Sequence, residues 1–182
     1  RTPADEQGDL HAVMQAGAPL TLSSPVYEVM NGGKFPVDLD PLKRTMTLEH
    51  LLTMSSGVRF SETYSGADDV ATLARLSIMG ESEGGPATVA PFRNRERPPG
   101  QKFSYASGDS HVLGLVVRAA TGKPLADYLS GKIWKPMGAE SDASWMVDGA
   151  GFETGYAGIN ATVRDYGPIG MLAYPYFVFL EM

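Results

Sequence analysis

The chain has 182 residues, 43% of them hydrophobic, a formal net charge of -6 and no cysteine. That length suits one domain with a core and is short for two. An acidic balance without a run of like charge argues against nucleic acid or an anionic membrane as partner. The missing thiols exclude disulfides, thiolate nucleophiles and cysteine metal sites. RTPADEQGDLHAVM holds no apolar run long enough for a signal peptide or a membrane span, and compartment and oligomeric state stay open.

In chain order, Leu10 to Ala16 reads as a short helix ending at Gly17, and PLTLSSPVYEVM as a turn followed by a helical piece. Asn31 to Pro41 is a loop punctuated by glycine and proline. Thr47 then caps a helix from Leu48 to Met54, with Glu49 in its first turn and Gly57 past its end. Such a cap is worth about 1 kcal/mol. Leu48, Leu51, Leu52 and Ser55 share one face of it and are expected to point into the core. Arg59 to Ala67 reads as polar loop, and Asp68 or Asp69 starts a helix through Met79 with Val70, Leu73, Leu76 and Ser77 inward. Glu81 to Pro91 is a glycine-rich connector suited to bordering a cleft. Arg93 to Arg97, the most basic stretch, is broken by Glu96 and reads as a solvated loop face.

The most informative stretch is Pro98 to Gly122. Pro98, Pro99 and Gly100 set a turn, Gln101 to Tyr105 form a short extended run, and Ser107 or Asp109 can cap a helix directly after it. Val112, Leu113, Val116, Val117 and Ala120 then recur at helical spacing, and Gly122 stands where a left-handed cap belongs. Tyr105-Ala106-Ser107 therefore lies just before a helix N-terminus, where unpaired amide donors favour negative charge. Pro124 is tolerated at the start of a second helix carrying Leu125, Tyr128, Leu129 and Ile133, stopped by Pro136 and Gly138. Trp134 and Trp145 flank the loop beyond it, as core or as cleft wall. Gly149 to Gly158 is turn-like. Thr162 can cap a last helix, but Pro168 falls in its interior, where a proline costs about 3 kcal/mol.

These segments resemble serine hydrolases of the β-lactamase and penicillin-binding-protein type, including esterases and 6-aminohexanoate-dimer hydrolases. Pro98-Pro99-Gly100, Phe103, Tyr105, Ser107, Thr121 to Leu125, Tyr128-Leu129, Ile133 and Pro136-Met137-Gly138 follow that family's pattern in order. LEHLLTMSSG upstream and GINATVRD downstream do the same. The pattern is clearest over residues 10–167 of what reads as one partial domain, and residues 168–182 form an atypical tail. The resemblance implies an α/β (α+β) fold of the β-lactamase/transpeptidase-like kind. This chain would cover mostly its helical subdomain, rich in helix and loop with little sheet, and far-ultraviolet circular dichroism should be dominated by helix. It also implies cleavage of a small-molecule amide or ester through an acyl-enzyme, without a cofactor. By match, Tyr105 takes the catalytic, proton-passing role. Ser107 takes the substrate-binding role of the motif's third position, holding substrate or the lysine, and serine there tilts the likeness toward the esterase and 6-aminohexanoate-oligomer hydrolase branch.

The family's nucleophile is the serine of a Ser-x-x-Lys motif, with the lysine one helical turn away on the same face. None of the 182 residues begins such a motif; the nearest, Ser56-Gly57-Val58-Arg59, ends in an arginine that cannot act as a base. A Lys-Thr-Gly or His-x-Gly strand is also missing. Tyr105 thus lacks both cationic partners that the family supplies. The chain reads as a fragment of such a hydrolase, and the alternative is a non-catalytic binding or remnant module keeping the helical half. Read without the family pattern, Tyr105 is an aromatic whose hydroxyl bonds backbone, Ser107 is a helix cap, and Asp165 is a helix-start charge. Ser55 and Ser56 lack the Gly-x-Ser-x-Gly elbow. His11, His50 and His111 are too scattered for a metal site.

Overall fold

The computed structural model describes residues 21–24, 26 and 45–179. The helix expected at Leu10 to Ala16, most of the turn and helical piece after it, and the Asn31 to Pro41 loop lie outside the described residues. The helices are α1 (Leu48–Leu52), α2 (Asp69–Ser77), α3 (Ser107–Thr121), α4 (Leu125–Leu129) and α5 (Val163–Phe179). A 3-10 turn stands at Gly85–Val89, and α4 continues directly into a π turn at Ser130–Trp134. The sheet among the described residues is two strands of two residues each, β1 (Ser144–Trp145) antiparallel to β2 (Ile159–Asn160), so the chain is helix-rich as expected.

Helix α1 starts after Thr47, whose backbone N–H donates to Nδ1 of His50 at 3.1 Å. His50 thereby does what Glu or Gln does in a capping box. The helix ends at Leu52, earlier than the expected Met54, because Thr53 leaves it and Met54 takes a left-handed φ of 50°. Leu48 and Leu51 are buried, but Leu52 is 57% exposed, which corrects its expected core placement. Successive helical residues point about 100° apart, so Leu51 and Leu52 do not both reach the core. Helix α2 is capped by Asp68, which accepts from the N–H of Ala71 at 3.1 Å and from Thr63 and Ser65 of the preceding loop. Although desolvation opposes it, these donors hold the Asp68 carboxyl down to about 2.

The core joins Leu48 and Leu51 of α1, Leu73 of α2, Val89 of the 3-10 turn, and Leu115 and Val116 of α3. Phe60, Phe92 and Tyr156 pack against it. Helix α3 approaches the 152–156 loop closely at a pair of glycines, Gly114 and Gly155. A Cβ on Gly155 would stand 2.9 Å from the Ser110 carbonyl oxygen. The Gly155 N–H donates to Nδ1 of buried His111 at 3.1 Å, which leaves the Nε2–H of His111 to donate to Thr88 Oγ1 at 2.9 Å. Thr88 in turn donates to the Gly85 carbonyl at 2.6 Å, so one hydrogen-bond chain ties α3 to the 3-10 turn.

Near its other end α3 carries Arg118, which donates to the buried Glu153 carboxylate at 2.9 Å and lies 4.0 Å over the Phe152 ring. Glu153 also accepts from the Ala126 N–H, an orphan donor of the first turn of α4, at 3.0 Å. Burial works against ionisation of Glu153, yet these donors and Arg118 bring its pKa below the usual value. Helix α5 runs through Pro168, which the spacing of the sequence sets against it. The proline deletes one donor, toward the Arg164 carbonyl, and the ladder on both sides carries the helix on. Its start is fixed as expected: Thr162 Oγ1 accepts from the Asp165 N–H at 3.2 Å and donates to Asp165 Oδ2 at 2.7 Å.

Replacing Arg118 by Ala leaves Glu153 buried without its charge partner. The expected loss is about 3 kcal/mol of unfolding free energy at neutral pH, read as a lower urea midpoint. The double variant Arg118→Ala/Glu153→Gln should lose clearly less.

Candidate active site

The segments that carry the family pattern, distant in sequence, lie side by side. Gly100 N–H donates to the Ser55 carbonyl at 2.8 Å, Ser104 N–H to Met54 at 2.7 Å and Glu96 N–H to Gly57 at 2.9 Å. Val58 and Arg95 form an antiparallel bridge. Residues 94–104 therefore run along residues 54–59, with two- to three-residue gaps that keep it from being a regular ladder. Gly57 is required at this contact: its φ is 76°, and a Cβ would collide with the Arg97 carbonyl oxygen. This pairing delivers Tyr105 to the start of α3.

Tyr105 is 58% exposed, and its hydroxyl makes no hydrogen bond among the described residues. Among the described residues no backbone group bonds that hydroxyl. Ser107 is 8% exposed and is the first residue of α3, not its cap. Ala106 occupies the cap position in extended conformation and has no side-chain acceptor to offer, and Asp109 is the third helical residue. The capping acceptor comes from afar. Glu62, in the stretch read as polar loop, accepts from the Ser107 N–H at 2.8 Å through one carboxylate oxygen and from Ser107 Oγ at 2.7 Å through the other. A remote carboxylate at a helix N-terminus meets both the unpaired donors and the positive end of the dipole.

Glu62 holds one more group, the Tyr64 hydroxyl, which donates to it at 2.8 Å. That bond, with the negative charge beside it, raises the Tyr64 phenol above its ordinary value. Tyr64 is exposed and has φ of 56°, a left-handed conformation unusual for an aromatic residue. Sequence reasoning missed Glu62 and Tyr64. Nothing in the spacing of SETYSGAD distinguishes an acid that caps a distant helix from an acid in solvent.

Beneath the site, Asp109 is buried and bonded by both the hydroxyl and the N–H of Ser56, while its Oδ2 finds no donor among the described residues. Burial dominates and pushes its carboxyl up to about 6. Ser56 is thus a buried partner of Asp109. The two tryptophans divide: Trp134 is buried, with Nε1–H donating to the Ser141 carbonyl at 2.9 Å, and Trp145 walls a groove of about 350 Å³ with Leu113, Val117, Leu129 and Ile133. Neither Tyr105 nor Ser107 lines that groove. Asp165 is committed to the start of α5, accepting the Glu140 N–H at 2.8 Å as well. Among the described residues no group of three His, Asp or Glu side chains is placed to hold a metal ion, and no helix is long and apolar enough to cross a membrane.

Residues 10–172 match the β-lactamase family. The chain belongs to that family. It is 29% identical over 126 residues to the 6-aminohexanoate-dimer hydrolase of Paenarthrobacter ureafaciens, covering 67% of this chain and 32% of that protein. It is 39% identical over 72 residues to the D-aminopeptidase of Brucella anthropi, covering 38% of this chain and 13% of that one. A solved Bacillus anthracis protein assigned as a 6-aminohexanoate-dimer hydrolase superposes with a TM-score of 0.69 at 23% identity, over 91% of this chain and 44% of its own. A Bacillus halodurans penicillin-binding protein gives 0.58 at 21% identity, over 92% and 56%. The fold is β-lactamase/transpeptidase-like, and the chain spans about a third of the curated hydrolase it matches.

Two buried titrating groups on α3 act in opposite directions. Burial, opposed by nearby Asp148, lowers His111 to about 4, so the unfolded chain binds the extra proton first and His111 stability is lost as pH falls from about 6.5 to 4. Asp109, raised to about 6, contributes in its neutral form, and that contribution is lost as pH rises through about 6. In Asp109→Asn only the His111 slope remains between them. The variant should gain on the order of 1–3 kcal/mol relative to wild type at pH 8 and lose stability more steeply between pH 6.5 and 4, as read by urea midpoints against pH.

Proposed function

We propose that this chain supplies the helical half and the tyrosine motif of a serine hydrolase that cleaves a small-molecule amide or ester through an acyl-enzyme. The observation that carries the reading is Tyr105 itself. Its phenol is exposed and has no hydrogen-bond partner among the described residues, at the N-terminal edge of a 15-residue helix whose first residue, Ser107, is bonded twice by Glu62. A solvent-facing phenol whose hydroxyl has no partner among the described residues is suited to passing a proton between a nucleophile and a leaving group. The named relatives, an amide hydrolase and an aminopeptidase, favour amide bonds as the substrate class.

In this reading Tyr105 carries the proton and Ser107 contacts substrate or the partner lysine. The nucleophilic serine and its lysine belong to a Ser-x-x-Lys helix that these 182 residues do not contain. The division of labour is testable. A serine-directed covalent reagent should label the full-length hydrolase and leave this chain unlabelled. Tyr105→Phe in the full-length enzyme should lower kcat at least a hundredfold, within the range by which positioned acid–base groups contribute, while the nucleophilic serine stays open to the reagent. Labelling of this chain by itself, or an undiminished kcat in the phenylalanine variant, would contradict the reading.

A further inference from the structure

We propose that Glu62 is a positioning residue of the Tyr105 site that turns Ser107 into a hydrogen-bond acceptor, so that the site recognises an amide N–H in preference to an ester oxygen. The inference rests on the hydrolase reading and names the substrate class within it.

A serine hydroxyl has one proton and two lone pairs. At Ser107 the proton has a fixed destination, because Oγ lies 2.7 Å from a carboxylate oxygen of Glu62, and a carboxylate only accepts. The orientation is held at a second point, since the other Glu62 oxygen takes the Ser107 N–H at 2.8 Å. Charge-assisted bonds of this length are the strong ones, and two of them between the same residues leave neither free to turn. Among the described residues Ser107 Oγ makes no further hydrogen bond, so what it has left to offer is lone pairs. Ser107 is 8% exposed, and little water reaches it to compensate a mismatched partner.

A group that meets those lone pairs must bring a proton. The N–H of a scissile amide does so, whereas the bridging oxygen of an ester sets acceptor against acceptor and leaves a buried polar atom unpaired. Sites built to pair one substrate hydrogen bond discriminate strongly against the analogue that lacks it. Tyr64 adds a second constraint on the same carboxylate: from a left-handed backbone its hydroxyl donates at 2.8 Å to the Glu62 oxygen that also accepts the Ser107 hydroxyl. The Ser107 hydroxyl thereby acquires a single polarity. An asparagine amide would present both a donor and an acceptor.

The test uses the full-length hydrolase and a matched pair of substrates, a p-nitroanilide and a p-nitrophenyl ester of the same acyl group. In Glu62→Gln the carboxamide can donate to Ser107, freeing the hydroxyl proton to turn outward. The expected result is a fall in kcat/KM that is at least tenfold greater for the anilide than for the ester. Glu62→Asp, which keeps a carboxylate, should hold the ratio closer to wild type. Ser107→Ala keeps the bond from its N–H to Glu62, and so the helix cap, and should shift the ratio in the same direction even if Glu62→Gln folds poorly. Equal losses on both substrates in Glu62→Gln and Ser107→Ala would overturn the inference and leave Ser107 facing a cation of the protein. A wild-type enzyme that hydrolyses neither compound would end the hydrolase reading together with it; an active wild type with an unmoved ratio ends this inference alone.

Discussion

Helix α3 is held at both ends by carboxylates that come from other parts of the chain. Glu62 takes the N–H and the hydroxyl of Ser107 at its start, and Glu153 takes Arg118 near its finish while also receiving the first turn of α4 through Ala126. Both acids answer the same physical demand, that backbone donors and charges in low-dielectric surroundings find partners. Between these two anchors the helix buries Leu115 and Val116 against α1 and α2, so the site at its N-terminus stands on the packed core of the molecule.

The polar groups inside that core are nearly all committed. His111 bonds Gly155 through one ring nitrogen and Thr88 through the other, and Asp148 receives the N–H groups of Ala150, Phe152 and Gly85. The His111 bonds join the 145–156 loop and the 3-10 turn to α3, the Gly85 bond joins that turn to the loop, and the Ala150 and Phe152 bonds close the loop on itself. Asp109 departs from this rule, with one oxygen bonded by Ser56 and the other facing no donor. A buried carboxyl so placed favours its neutral form. It lies under the pairing of the two motif-bearing segments and two residues from Ser107, the part of α3 where the fold gives up some stability.

The exposure of the site follows from the same arrangement. Phe103, Tyr105 and Tyr64 are all open to solvent around the start of α3, an unusual concentration of aromatic surface. The shared stretch covers 32% of the Paenarthrobacter ureafaciens hydrolase and 44% of the Bacillus anthracis protein.

Much of this was legible in the sequence by itself. The 3.6-residue spacing of Val112, Leu113, Val116 and Val117 predicts α3, and Gly122 ends it with φ of 65° because glycine has no Cβ to obstruct that conformation. Asp68 and Thr162 declare two helix starts, and the ordered motifs from Leu48 to Asp165 declare the family. These features depend on residues a few positions apart, and local spacing records them. Only the tertiary structure decides what distant segments do to each other. It turns Leu52 outward and carries α5 past Pro168, where neighbouring hydrogen bonds offset the one that proline removes. It runs the Pro98 turn along Met54 to Arg59, and it brings Glu62 across 45 residues to cap α3 in place of Ser107. A carboxylate reads the same in a sequence whether it faces water or a helix end, because its partner is chosen by packing.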